Sequence, residues 1–201
     1  MIYETPIGAF GTWEEAATAS EQIRHGSFGP IVWDTRPVPG QPTYVRQRDL
    51  YIADTMNHRI RKLTWTGVIS TIAGGAGTQL TDNAVRGFSG DNGPGELARL
   101  NEPRGVAFDA ETNIYISDAG NRRVRMVDAS GAIHTIAGNG EQGDTGDGGP
   151  ALQASFCEPR GLSVDGEGNI YVADSCNYKV RVLRPVQEGS TPTSLSGSSG
   201  R

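Results

Sequence analysis

Three features of the sequence predict an all-β fold assembled from one repeated unit. The string YIADTMNHRIR at 51–61 returns as YISDAGNRRVR at 115–125 and as YVADSCNYKVR at 171–181. The match extends well beyond that string: Gly90 to Val127 aligns without a gap to Gly146 to Leu183, an offset of 56 residues. Finally, the 28 glycines among 201 residues cluster between short apolar runs, which suits many tight turns rather than long helices.

The middle unit shows the pattern most clearly. Four runs, GVAFD (105–109), NIYISD (113–118), RVRMVD (123–128) and AIHTIA (132–137), alternate or carry β-branched residues, as strands do. Their separators are short and turn-like: AET, AGNR and ASG. Four antiparallel strands per repeat make a propeller blade. Blade two is complete over about 100–138, and blade three, about 156–184, has three strands. Blade one begins with GPIVWD at 29–34, interrupted by the Pro-rich TRPVPGQPTYVRQRD before Leu50. Upstream, residues 2–8 align weakly with the fourth strand of a blade, and Trp13, Ala16, Ala17, Ser20 and Ile23 predict a short helix over 13–26. The division is therefore 1–27 for an N-terminal strand and helix linker, 28–185 for the blades, and 186–201 for a disordered Ser/Gly-rich tail.

P-x-G-(V/L)-x-(F/V)-D, then N-I-Y-(I/V)-(A/S)-D-x-x-N-x-(R/K)-(I/V)-R, then G-x-I-x-T-I-A-G, resembles the NHL repeat of six-bladed β-propellers, over about 28–185. The Gly-Asp-Gly-Gly-Pro-Ala linker is similar to a variety found in bacterial and some eukaryotic secreted or surface proteins. The resemblance implies the fold, and it implies a binding platform, a sensor domain or, in a few members, a lyase. Three blades do not close a ring, so a protein partner or second copy is expected to complete the propeller, unless the chain is a piece of a longer one.

Charge and composition narrow the chemistry. A net charge of −5 gives no general attraction to nucleic acid or anionic lipid, no run approaches a membrane span, and the first 30 residues lack a signal-peptide pattern. No cofactor is expected. GEQGDTGDGGP offers Glu141, Asp144 and Asp147 as weak calcium candidates, with a turn held by Asp side chains as the alternative. His25, His58 and His134 lie in unlike contexts, and no zinc spacing or G-x-S-x-G elbow occurs, so a non-enzymatic scaffold or interaction module is expected ahead of a lyase-type enzyme. A candidate interaction face gathers His58, Arg59, Arg104, Arg122, Arg123, Arg160 and Lys179. Such a face allows single-stranded RNA binding as a runner-up, against which stand Asp54, Asp118, Asp174, Glu102 and Glu158 on the same turns.

Three further expectations concern particular side chains. The three motif tyrosines should pack between blades, and the motif Asp/Asn pairs should bond backbone amides of the turn joining the second and third strands. Ile116, Val124, Ile136, Val172 and Val180 should point into the core. Cys157 and Cys176 replace Asn101 and Gly120 at facing places of one blade, so they are expected to form a disulfide, with two free thiols in a reducing compartment as the alternative. A bridge would place the protein outside the cell or in an organelle lumen.

Overall fold

The structure is a computed structural model that describes residues 31–33, 49–75 and 86–185. The expected strand at 2–8, the helix over 13–26, most of the Pro-rich insertion and the tail at 186–201 lie outside the described residues.

Blade one is a sheet in the order β1 (Ile31–Trp33), β2 (Leu50–Asp54), β3 (Arg59–Leu63) and β4 (Ile69–Ala73), every neighbour antiparallel. Blade two repeats it with β6 (Pro103–Phe108), β7 (Ile114–Asp118), β8 (Arg123–Val127) and β9 (Ala132–Ala137). Its outer strand β9 also carries a two-residue strand, β5 (Gly93–Pro94), from the preceding linker, so this sheet has five strands. Sequence alone does not reveal β5, because a Gly-Pro pair has no strand pattern. Blade three contains β10 (Pro159–Val164), β11 (Ile170–Asp174) and β12 (Lys179–Leu183).

The turn between the second and third strands has one geometry in all three blades. The motif aspartate is followed by a single 3-10 turn and then by a left-handed residue: His58 at φ 54°, Arg122 at φ 54° and Tyr178 at φ 55°. Each left-handed N–H donates back to the first carbonyl of its turn, at 3.1, 3.0 and 3.2 Å. The chain thereby reverses direction and enters the third strand in register, with Asp54 opposite Arg59, Asp118 opposite Arg123 and Asp174 opposite Lys179.

Apolar side chains from facing blades form two cores. Tyr51, Ala53, Ile60 and Ala73 of blade one meet Leu100, Val106, Ile116, Val127 and Ile133 of blade two, and the Tyr51 ring stands edge-on to Phe108 with centroids 5.1 Å apart. Tyr115, Val124 and Ala137 of blade two meet Phe156, Ile170 and Val172 of blade three. Both faces of β7 are consequently buried, which explains why IYISD reads as a continuous run rather than a clean alternation. Ile116, Val124 and Val172 are fully buried as expected, and Ile136 packs half-buried against the second core. Val180 departs from expectation at 70% exposed, and Tyr171 is also exposed. They occupy the places of Val124 and Tyr115, but among the described residues no blade covers the outer side of blade three.

Candidate functional site on the turn face

The repeated motif builds a polar frame at one end of each blade. In blade two the buried Asp118 carboxylate accepts three kinds of bond: from the Asn101 N–H at 2.7 Å, from Asn121 Nδ2 at 2.8 Å and from Arg125 Nη1 at 3.3 Å. Asp174 repeats this in blade three, accepting from the N–H groups of Cys157 and Glu158 at 2.9 and 3.2 Å and from Asn177 Nδ2 at 2.7 Å, with Arg181 Nη1 3.9 Å away. In blade one Asn57 Nδ2 donates to Asp54 at 2.8 Å and Arg61 lies 3.9 Å from it.

The backbone amides bound by these aspartates belong to the lead-in to the first strand, not to the turn itself. That corrects the expectation for Asp118 and Asp174, each of which ties the start of its blade to the turn between the second and third strands. The final arginine of the motif completes the frame by reaching the linker. Arg125, fully buried, also bonds Asp91 at 2.7 Å and the Ser89 carbonyl at 3.2 Å, while Arg181 bonds Asp147 and the carbonyls of Thr145 and Ser155. Burial pushes the Asp118 carboxyl up to about 6, although Asn121, the Asn101 amide and Arg125 all favour its charge.

A second carboxylate organises the other end of blades two and three. Asp109 accepts the N–H groups of Glu111 and Asn113, Asn113 Nδ2 and the Tyr115 hydroxyl, the last at 2.8 Å. Asp165 does the same with Glu167, Asn169 and Tyr171. The Tyr115 ring thus packs between blades while its hydroxyl bonds the preceding turn, and Tyr171 makes the same hydroxyl bond with its ring exposed; these hydroxyl bonds are what the sequence reading missed. The D-x-x-x-N-x-Y spacing was the available signal.

The candidate interaction residues do gather on the turn face, but most are already engaged. Arg104 lies 3.1 Å from Glu102 and 3.3 Å from Glu158, and Arg160 lies 2.9 Å from Glu158. Arg123 donates to the carbonyls of Asn121 and Asn139 and covers the Phe88 ring at 4.0 Å. His58 reaches the next blade, its Nδ1 accepting the Glu102 N–H at 3.0 Å, and burial holds its imidazole below the usual value. Arg59 is half-buried at the start of β3. The weak calcium candidates do not stand together as ligands: Asp144 pairs with Lys179 at 2.8 Å and Asp147 with Arg181 at 2.7 Å. Among the described residues no group of three or more potential metal ligands occurs.

Between blades two and three lies a depression of about 290 Å³ lined by Glu102, Arg104, Arg122, Gln142, Glu158 and the two cysteines. Cys157 and Cys176 are paired there, with Cα atoms 5.6 Å apart, and Gln142 Nε2 donates to the Cys157 sulfur at 3.3 Å. Among the described residues, no helix is long and apolar enough to cross a membrane.

Comparison with known proteins agrees with this geometry. The family model described as the teneurin NHL domain matches residues 47–145, and the NHL repeat model matches 156–183. The chicken protein NHL repeat-containing protein 2 is 30% identical over 138 residues, 67% of this chain but 18% of its own length. Human Teneurin-4 is 40% identical over 83 residues, 39% of this chain and 3% of the relative. A solved structural genomics protein from Bacteroides thetaiotaomicron aligns with TM-score 0.54 and 26% identity, covering 67% of this chain and 32% of that one. The chain therefore spans less than a fifth of these curated relatives. Two adjoining NHL models cover most of the described strands, and the repeated frame and blades are of one kind, so the chain belongs to the NHL-repeat β-propeller family.

Proposed function

We propose that this propeller segment is a non-enzymatic scaffold whose turn face binds a protein partner. One observation carries the reading: a repeated turn geometry presents a different side chain at the same left-handed place in each blade, His58, Arg122 and Tyr178. Asp, Asn and Arg are fixed because each is needed to hold the turn. The residue after Asn is set by the frame yet free in chemistry, and Tyr178 is 95% exposed. A rigid backbone with interchangeable display residues is what selective recognition of a protein surface needs.

The cations around this place are paired with Glu102, Glu158 and Asp144, which leaves little net positive field for a phosphate backbone. The test is capture of binding proteins by the full chain and by Arg122→Glu and Tyr178→Ala variants, alongside salt-dependent retention of a single-stranded RNA. Proteins retained by the parent and lost from both variants support the reading. Equal capture by all three, or RNA retention that falls steeply with salt, overturns it.

A further inference from the structure

The two junctions between blades differ on the turn face. At the first, the His58 imidazole reaches over to the next blade, where its Nδ1 accepts the Glu102 N–H at 3.0 Å; Glu102 is itself left-handed, at φ 47°. At the second, the equivalent N–H is that of Glu158, and it donates to Asp174 within its own blade at 3.2 Å. Arg122 stands in the place of His58 but has no acceptor atom with which to take an amide. It lines the depression of about 290 Å³ instead of plugging the junction.

The charges around this depression do not balance. Arg104 pairs with Glu102 and Glu158, and Arg160 pairs with Glu158, so two arginines are matched by two glutamates. Arg122 is half-buried beside them, and among the described residues its guanidinium has no hydrogen bond or ion pair. A guanidinium is always charged and carries five N–H donors, so partial burial without an acceptor is a cost that an incoming anion removes. One unmatched positive charge suits a carboxylate, which brings a single charge and fits the planar fork of arginine. A phosphate brings up to two and would face Glu102 and Glu158 with the excess.

Size and surroundings favour a side chain over a free metabolite. Small-molecule sites hold about 300–1,000 Å³, so this depression lies at the lower edge of that range and has room for one acidic side chain. Tyr178, 95% exposed, follows two residues after Cys176 of the depression's wall and offers an aromatic surface to a chain that enters it. We propose that the depression between blades two and three receives an aspartate or glutamate side chain of a partner polypeptide, with its carboxylate on the Arg122 guanidinium and the adjoining chain on Tyr178. The inference rests on the reading that the turn face binds protein, and it names the chemistry of what is bound.

The test pans a phage-displayed pool of random dodecapeptides on the full chain. Peptides retained by the parent should be enriched severalfold in Asp and Glu over the starting pool. That enrichment should vanish with Arg122→Gln and with Gln142→Glu, which keeps the arginine but adds a carboxylate to the depression; with two variants, misfolding of one leaves the other to decide. A second arm titrates a retained peptide and, separately, succinate while following the Arg122 Nε–H resonance by NMR. The peptide should shift it at a concentration at least tenfold lower than succinate does. Equal potency of succinate makes a free carboxylate the guest and overturns the assignment to a polypeptide. Retained peptides without an acidic bias, a bias that survives in either folded variant, or no retained peptides at all overturn the inference. None of these outcomes by itself removes the protein-binding reading, which is scored separately by capture of whole proteins and its loss with Tyr178→Ala.

Discussion

Gly120 donates its N–H to the Asn101 carbonyl at 2.8 Å, and a side chain at Gly120 would collide with the Asn101 side chain; one repeat later these two places hold Cys176 and Cys157. Where blade two excludes one side chain to fit the other, blade three joins the two covalently. The Cα separation of 5.6 Å lies within the ordinary disulfide range of about 4.4–6.8 Å. Mass spectrometry of protein isolated under thiol-trapping conditions should show the bridged form. Replacing both cysteines with Ala should lower stability by about 3 kcal/mol through the unfolded state. Two freely alkylated thiols would refute the bridge and remove the argument for an oxidising compartment.

The Asp118–Arg125 pair is fully buried on both sides, so the two substitutions of Asp118 should differ sharply. Asp118→Ala leaves the Arg125 charge with Asp91 alone and orphans the Asn101 amide, which should cost about 3–5 kcal/mol. Asp118→Asn keeps the oxygen acceptor and should cost clearly less. Urea denaturation midpoints check the order; equal losses would mean that the frame acts through shape rather than charge.

The strands and the blade count were legible because the 56-residue offset aligns each element with a copy, so weak local signals reinforce one another. GVAFD, NIYISD, RVRMVD and AIHTIA all fall within one or two residues of β6 to β9. Long-range partners were not legible. The repeat shows that Asp118 matters locally, but it does not reveal that its carboxylate binds an amide 17 residues earlier or that Arg125 reaches Asp91. Pairing of Asp144 and Asp147 with Lys179 and Arg181 was hidden for the same reason: the partners lie 35 and 34 residues apart, and acids alone look like a cation loop. Val180 was misplaced because a repeat predicts which side a residue faces, not whether a neighbour stands there.

That last distinction gives a direct comparison. Ile116→Ala removes a fully buried side chain between blades one and two and should cost about 2–4 kcal/mol. Val180→Ala, at 70% exposure, should change stability by less than about 0.5 kcal/mol in this chain. A large loss at Val180 in urea denaturation would show that something already covers the outer face.

Two groups, the half-buried His58 and the buried Asp118, should give the chain opposing responses to mild acid, and single substitutions separate them. The His58 imidazole is held below its usual value by burial, and its Nδ1 must stay unprotonated to accept the Glu102 N–H. A depressed histidine means that the unfolded chain binds the proton first, so stability from this contact is present above about pH 6.5 and is lost as pH falls toward the folded value. Asp118 has the reverse sign. With its carboxyl raised to about 6, the folded state binds the proton first, so its contribution is fully present below about pH 4 and is lost as pH rises through 6. Stability should therefore be measured from pH 7.5 to 4.5 in the parent, His58→Asn and Asp118→Asn. The advantage of the parent over His58→Asn should shrink on acidification, because only the parent loses an acceptor. Its standing relative to Asp118→Asn should improve over the same range. Parallel curves for parent and His58→Asn would mean that the imidazole does not bridge blades one and two through Nδ1.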